Sequence, residues 1–248
     1  MKIAVCISQV PDTTTKIKVG SDGKTIDPKD VTFIINPFDE FAVEEALKLK
    51  EKNGGETIAV SVGKESVKET LRKAFAMGID KGVLVKTDAE LDSFSIAKNL
   101  AGVLKELNPE IILFGKQSVD YDGSQVGIMA AEFLGLPSIS VVVDLTIDGK
   151  NVTAEREIEG GKEIVSSTLP VVICAQKGLN DPRYPNLKGI MQAKTKPIEE
   201  KEPSYTENKT QVISMRLPKL KSKGKIVGTD VTAVPELVKL LREEAKVI

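Results

Sequence analysis

Four continuous apolar runs, each followed by a helical pattern, most constrain what this chain can fold into. The runs occupy residues 2–8, 57–62, 82–86 and 110–114. They do not alternate apolar with polar residues, so each predicts a strand covered on both faces. A helix is expected to start near Pro37, with Asn36 as its N-cap. Phe41, Val43, Ala46, Leu47 and Leu49 supply its apolar face, and Glu40, Glu44 and Glu45 are read as a solvated edge. Asn53-Gly54-Gly55 ends it. Further helices are expected over 65–77, closed by Gly78, over 92–107, stopped by Asn108-Pro109, and over 124–134. Alternation of this kind gives an α/β fold with a doubly wound, mostly parallel sheet.

The rhythm changes near residue 139. Segments 139–146, 151–158 and 162–167 alternate, and Gly160-Gly161 marks a hairpin turn, so antiparallel additions are expected there, ending in 170–174. A smaller hairpin is expected over 16–27, around Ser21-Asp22-Gly23. From 178 to about 228 the chain is different in kind. Five prolines interrupt it, and ten Lys or Arg face four Glu between Asn186 and Gly228, in a chain whose net charge is −1. An irregular arm follows, then an amphipathic helix over 234–245. The expected organisation is an α/β domain over 1–177, a loop over 178–196 and a C-terminal arm over 197–248.

Composition removes whole classes of chemistry. Histidine is absent, which excludes triads and His-ligated zinc. Cys6 and Cys174 match no paired metal spacing. With no tryptophan and three tyrosines there are few platforms for base stacking, so no nucleic-acid partner is expected. The brief apolar start lacks signal-peptide features, and no run reaches the about 20 residues a membrane helix needs. A cytoplasmic chain without membrane insertion is expected. There is no GxxxxGK[ST] and no GxGxxG after the first strand. Asp120-x-Asp122 fails as a calcium loop because position twelve is Ala131. No metal site and no catalytic residue are assigned.

In an open doubly wound sheet, ligands bind beyond the carboxyl ends of the strands, where strand order reverses. Here that falls between the first and fourth predicted strands. The segments to inspect are Cys6 to Asp12, Asn36 to Asp39, Val62-Gly63 and 114–127. The last runs from a strand into a helix through Gly123-Ser124-Gln125, whose free amides and dipole suit a phosphate. An ordinary loop, with Asp122 or Ser124 capping the helix, accounts for the same residues.

Four blocks in order resemble the β subunit of electron-transfer flavoproteins. They are NPF with AVEEALKLKEK, GKQSVDYDGSQVGIMAAEFLG, EREIEGGKEIVSSTLPVVICA and LNDPRYPNLKGIMQAK. The resemblance implies a Rossmann-like sheet of the adenine nucleotide alpha hydrolase type. It also implies an electron carrier in an αβ heterodimer, with FAD held mainly by the α subunit and AMP in the β subunit. The implied AMP contacts are the Cys6 backbone, Asn36, Pro37, Phe38, Asp39, Val62, and the run Ser118, Val119, Asp120, Tyr121, Asp122, Gly123, Ser124, Gln125, Val126, Gly127, Ile128 and Met129. Asp39 stands where relatives often carry another residue. Pro11-Asp12-Thr13 matches the loop nearest the flavin.

The implied partners are the α subunit, an acyl-CoA or related dehydrogenase of fatty acid oxidation, and a quinone oxidoreductase. Leu187 matches the leucine that anchors the dehydrogenase, with Tyr184, Pro185, Ile190 and Met191 around it. Glu157 matches a position that holds the flavin-bearing domain during transfer. Two alternatives stand beside this reading: a bifurcating β subunit that binds a second FAD and oxidises NADH, and a stand-alone adenine-nucleotide sensor.

Overall fold

The computed structural model describes residues 1–219 and 224–248. In chain order the elements are β1 (Lys2–Cys6), β2 (Gln9–Pro11), β3 (Phe33–Ile35), α1 (Pro37–Asn53), β4 (Glu56–Gly63), α2 (Val67–Met77), β5 (Lys81–Lys86), α3 (Ser93–Leu107) and β6 (Ile111–Gly115). They continue with α4 (Val126–Leu134), β7 (Ser138–Asp148), β8 (Asn151–Ile158), β9 (Gly161–Thr168), β10 (Val171–Ala175), α5 (Leu187–Ala193), β11 (Ile198–Lys201) and α6 (Val234–Glu243).

The main sheet runs β11-β5-β4-β1-β6-β10-β7-β8-β9. From β11 through β10 its pairs are parallel, and only β7-β8 and β8-β9 are antiparallel. Successive strand residues face opposite sides, so Ile3 and Val5 pack in one core with α1 and α2, while Ala4 and Cys6 pack in another with α3 and α4. The mostly parallel, doubly wound sheet is therefore as the apolar runs indicate. Its order reverses at β1, which lies between β4 and β6.

Four expectations need correction. The 16–27 hairpin reduces to one bridge, Val19 with Ile26, around a turn that the Asp22 carboxylate holds through the amides of Lys24 and Thr25. The 170–174 segment does not close the antiparallel wing; β10 enters the parallel sheet between β6 and β7. Its run VVICA is fully buried, as a strand covered on both faces requires.

The 178–228 segment is not irregular throughout. It contributes α5 and the edge strand β11, which pairs in parallel with β5. Glu200 of β11 bonds Lys68 at 2.5 Å and Lys86 at 3.4 Å, so charge blunts this edge against further pairing. Residues 204–210 are also docked on the body, because Asn99 bonds the amides of Ser204 and Tyr205, and Asp92 those of Lys209 and Thr210. Of the arm expected over 197–248, residues 220–223 lie outside the described residues. Among the described residues α6 buries none of its side chains, and it packs mainly on the short 3-10 turn before it.

Fourthly, Glu44 and Glu45 do not form a solvated edge. Each is 5% exposed, and each is bonded by a residue about 140 positions later in the chain, Arg183 for Glu44 and Asn180 for Glu45. Among the described residues no helix is long and apolar enough to cross a membrane.

Candidate functional site

At the switch point the β1–β6 ladder is shorter than those on either side of it. β1 pairs with β6 only from Ile3–Ile111 to Val5–Leu113, whereas β1 stays paired with β4 through Cys6–Val60 and β6 with β10 through Gly115–Ala175. The β1–β6 ladder therefore ends one residue before β1 does, at the position where such a sheet offers a crevice to a ligand.

Asp39 spans the switch point. Its Oδ2 accepts from the Ser8 amide at 2.7 Å and the Ser8 hydroxyl at 2.8 Å, and its Oδ1 from Asn36 Nδ2 at 2.9 Å and the Gly115 amide at 3.1 Å. One carboxylate thus holds the ends of both strands. The side chain points into the body of the protein, toward Ser8 and Gly115. Gly115 is required by this closeness, since a Cβ there would lie 2.4 Å from Asp39 Oδ1 and 2.6 Å from the Phe38 carbonyl carbon.

Asn36 precedes α1 but makes no side-chain capping bond. Its amide is directed across the crevice instead. Nδ2 donates to the Gln117 carbonyl at 2.8 Å, and Oδ1 accepts from the Val119 amide at 3.2 Å. Asn36 thereby ties the start of α1 to the loop that leads from β6 to α4. Cys6 closes β1, and burial pushes its thiol well above the usual range; burial likewise pushes Cys174 up to about 12. Both are packed core thiols, unsuited to nucleophilic work.

Within the 116–125 loop the carboxylates are satisfied locally. Asp120 accepts from the Ser118 hydroxyl and the Tyr121 amide, and Asp122 from Gln117 Nε2 at 3.0 Å. Asp122 adopts φ 51°, a left-handed conformation that Asp tolerates better than most residues. α4 begins at Val126, two residues after Ser124, and Gln125 provides no side-chain cap. Its first-turn amides have no partner within the helix, and its positive dipole end suits an anion. Gly123 leaves room beside them, since a Cβ there would meet nothing closer than 3.8 Å. Gly127 is tightly packed: a Cβ would lie 2.7 Å from Cys174 Sγ, so glycine lets α4 sit close on the sheet. Neutral donors, helix-end amides and locally tied carboxylates make a donor set that fits a nucleotide phosphate.

The fold brings Cys6, Asn36 to Asp39, Val62 near the end of β4, and residues 118–129 to the carboxyl ends of adjoining strands. Phe38 is half-buried, and Lys116 Nζ lies 5.3 Å from its ring centroid. Tyr121, Ser124, Gln125 and Ile128 are exposed, while Val119, Val126 and Met129 are half-buried. A second group lies apart from the crevice. Tyr184, Pro185, Leu187, Ile190 and Met191 are exposed on α5 and the turn before it, packed over α2. Glu157 belongs to neither group; it sits on β8 and accepts from Gln176 Nε2 at 3.0 Å, just beyond β10. Ser8 and Gly115 lie in the segments the sequence points to, but their shared bonds to Asp39 do not show there, and Arg183 was missed, since these roles come from partners distant in the chain and leave no local pattern.

The buried carboxyl of Asp39 predicts a pH dependence. Burial pushes its pKa up to about 6, against the lowering effect of the bonds from Ser8, Asn36 and Gly115. An unfolded Asp titrates near 3.9, so the folded chain binds this proton more readily. The resulting stability is fully present below about pH 4 and is lost as pH rises through about 6, a change of roughly 3 kcal/mol. Denaturant melts of wild type and Asp39→Asn between pH 4.5 and 7.5 check this. The wild type should lose stability over that interval relative to the variant, and parallel curves would contradict the assignment.

An open, doubly wound α/β protein with a crevice at its switch point, edged by amides and one buried carboxylate, is the class that fold and site define. Within it, the chain belongs to the electron transfer flavoprotein family, whose domain model, "Electron transfer flavoprotein domain", matches residues 24–205. The chain is 42% identical over 259 aligned residues to the electron transfer flavoprotein subunit beta of Bacillus subtilis (strain 168), covering 100% of both chains. It is 39% identical to the corresponding subunit of Syntrophomonas wolfei, covering 100% of this chain and 98% of that one. It is also 39% identical to the mitochondrial subunit of Arabidopsis thaliana, covering 100% of both. The relatives carry the names of electron-carrier subunits, and a flavin in the complex and an α partner follow from the family.

Proposed function

We propose that this chain is the β subunit of a heterodimeric electron-transfer flavoprotein, that it holds AMP structurally in the crevice between β1 and β6, and that it helps relay electrons from an acyl-CoA type dehydrogenase to a quinone reductase. The observation that carries the nucleotide part is the switch point between β1 and β6, with Asn36 and the N-terminal end of α4 beside it. The full-length match to β subunits supports the rest. FAD, held mainly by the α subunit, supplies the redox chemistry of the complex.

The work of this chain's own residues is binding and orientation. The amides of Val126, Gly127 and Ile128 face the phosphate, Asn36 fixes the loop that carries Ser118 and Gln125, and Asp39 holds the crevice walls at their spacing. No acid or base is needed, in keeping with the absence of histidine. The exposed apolar residues of α5 dock the dehydrogenase, and Glu157 faces the flavin-bearing domain. The exposed helix α6 and the basic arm pack on the α subunit.

Counting flavin in the purified heterodimer tests this function. One FAD per heterodimer, reducible by an acyl-CoA dehydrogenase and its substrate but not by NADH, is the expected result. Two FAD with bleaching by NADH would replace it with the bifurcating reading. A stable monomer that exchanges AMP freely and recruits no α subunit would replace it with a nucleotide sensor.

A further inference from the structure

The segment that carries Tyr184, Leu187 and Met191 is fixed at three points by residues the crevice does not use. At its start, Arg183 lies against α1. Its Nε and backbone amide donate to Glu44 Oε2 at 2.8 and 3.0 Å, its Nη2 to Glu44 Oε1 at 2.9 Å, and its Nη1 and Nη2 to Glu51. Asn180 Nδ2 adds bonds to the Phe41 carbonyl at 3.0 Å and Glu45 Oε2 at 2.9 Å. In the middle, the Asn186 side chain caps α5 at the Gly189 amide, 2.7 Å away, and Gly189 lies so close to α2 that a Cβ would sit 2.4 Å from the Ala76 carbonyl oxygen. At the end, Arg72 Nη1 donates to the carbonyls of Ala193 at 2.7 Å and Lys194 at 2.9 Å.

Between these anchors the apolar side chains point away from the body. Leu187 is 82% exposed, Tyr184 94% and Met191 73%. A segment held this firmly while its largest apolar groups stay in solvent is built for something other than its own core, since an exposed leucine contributes little to folding. Arginine suits the first anchor because its planar fork bonds two carboxylates in fixed geometry, which lysine cannot reproduce. Glu44 is buried, and that fork is what keeps its carboxylate from being left unpaired.

We propose that Arg183, clamped between Glu44 and Glu51, is a positioning residue that preorganises the apolar face of residues 184–191 for docking to a partner protein. This rests on reading that face as the dehydrogenase-binding surface. A face already ordered before contact loses less conformational freedom on binding, so the clamp acts on encounter with the partner and leaves the electron-transfer step itself untouched. The same helix carries Asp39 in its first turn and follows directly on Asn36, so α1 braces the crevice at one end and the docking segment farther along.

The test uses the co-expressed heterodimer with four changes: Arg183→Gln, Arg183→Lys, Arg183→Gln combined with Glu44→Gln, and Leu187→Ala. The combined variant leaves no unpaired buried carboxylate, so it separates positioning from misfolding. Two readouts are taken: hydrogen exchange of amides 184–192 in the free heterodimer, and kcat and KM with an acyl-CoA dehydrogenase as donor. For Arg183→Gln and the combined variant, faster exchange is expected, with KM raised about tenfold and kcat within about twofold. Arg183→Lys should fall between wild type and Arg183→Gln, and Leu187→Ala should raise KM with exchange unchanged. Unchanged exchange in both Arg183→Gln variants overturns the proposal whatever the kinetics. Faster exchange with unchanged KM, while Leu187→Ala raises KM, also overturns it, because the face then docks without the clamp. An unchanged KM in Leu187→Ala overturns the docking reading itself and the proposal with it.

Discussion

Gly115→Ala should destabilise the chain by about 3 kcal/mol and strip the crevice of its ligand. Two of the three nearest atoms to the added methyl are backbone, the Phe38 carbonyl carbon at 2.6 Å and the Asp39 nitrogen at 2.7 Å. A side chain can rotate away from such a clash, but the first turn of α1 cannot. To make room, α1 must slide along the sheet, which pulls Asp39 off the Ser8 and Gly115 amides and Asn36 off the 116–125 loop. The melting temperature should fall by about 6–12 °C for a chain of this size, and bound nucleotide should be lost with it. Gly123→Val is the control, because a Cβ there meets only ordinary contacts. It should lose nucleotide while the fold persists. A Gly115→Ala protein that melts with wild type would show that α1 and β6 are not packed this closely.

Leu187→Ala should lower kcat/KM with the donor dehydrogenase about 30-fold, while AMP and FAD content stay at wild-type levels. A single leucine inserted into a partner pocket has the character of an interface hot spot, where truncation costs about 2 kcal/mol or more. Because Leu187 is 82% exposed in the chain alone, removing its branches leaves no cavity here and should not alter the melting temperature. Loss of transfer together with loss of stability would mean that the leucine packs internally. An unchanged rate with native cofactor content would remove it as the anchor.

The parts of the fold legible in the sequence were those whose signals are local. Continuous apolar runs marked the parallel strands, and strand–helix alternation placed the order reversal beside β1. Gly160-Gly161 marked the β8-β9 turn. What escaped depends on contacts far along the chain. Glu44 and Glu45 read as solvated because nothing near them announces that Arg183 and Asn180 will cover them. Asn36 has the composition of a helix cap, yet the demands of the 116–125 loop outweigh the local bond. β11 is four residues long, IEEK, and follows Pro197. Without apolar alternation it reads as arm, and only the free edge of β5 makes it a strand. The crevice segments were similarly accessible from strand ends, but the bridging carboxylate was not, since it needs Ser8, Asn36, Asp39 and Gly115 together.

The central claim is that the switch-point crevice between β1 and β6 holds AMP. Mass spectrometry of the nucleotide released on denaturing the purified heterodimer tests it most directly. The account predicts one AMP per β chain, together with one FAD per heterodimer, and loss of AMP alone in Gly123→Val. A second FAD in place of AMP, or no nucleotide besides the single FAD, would contradict it.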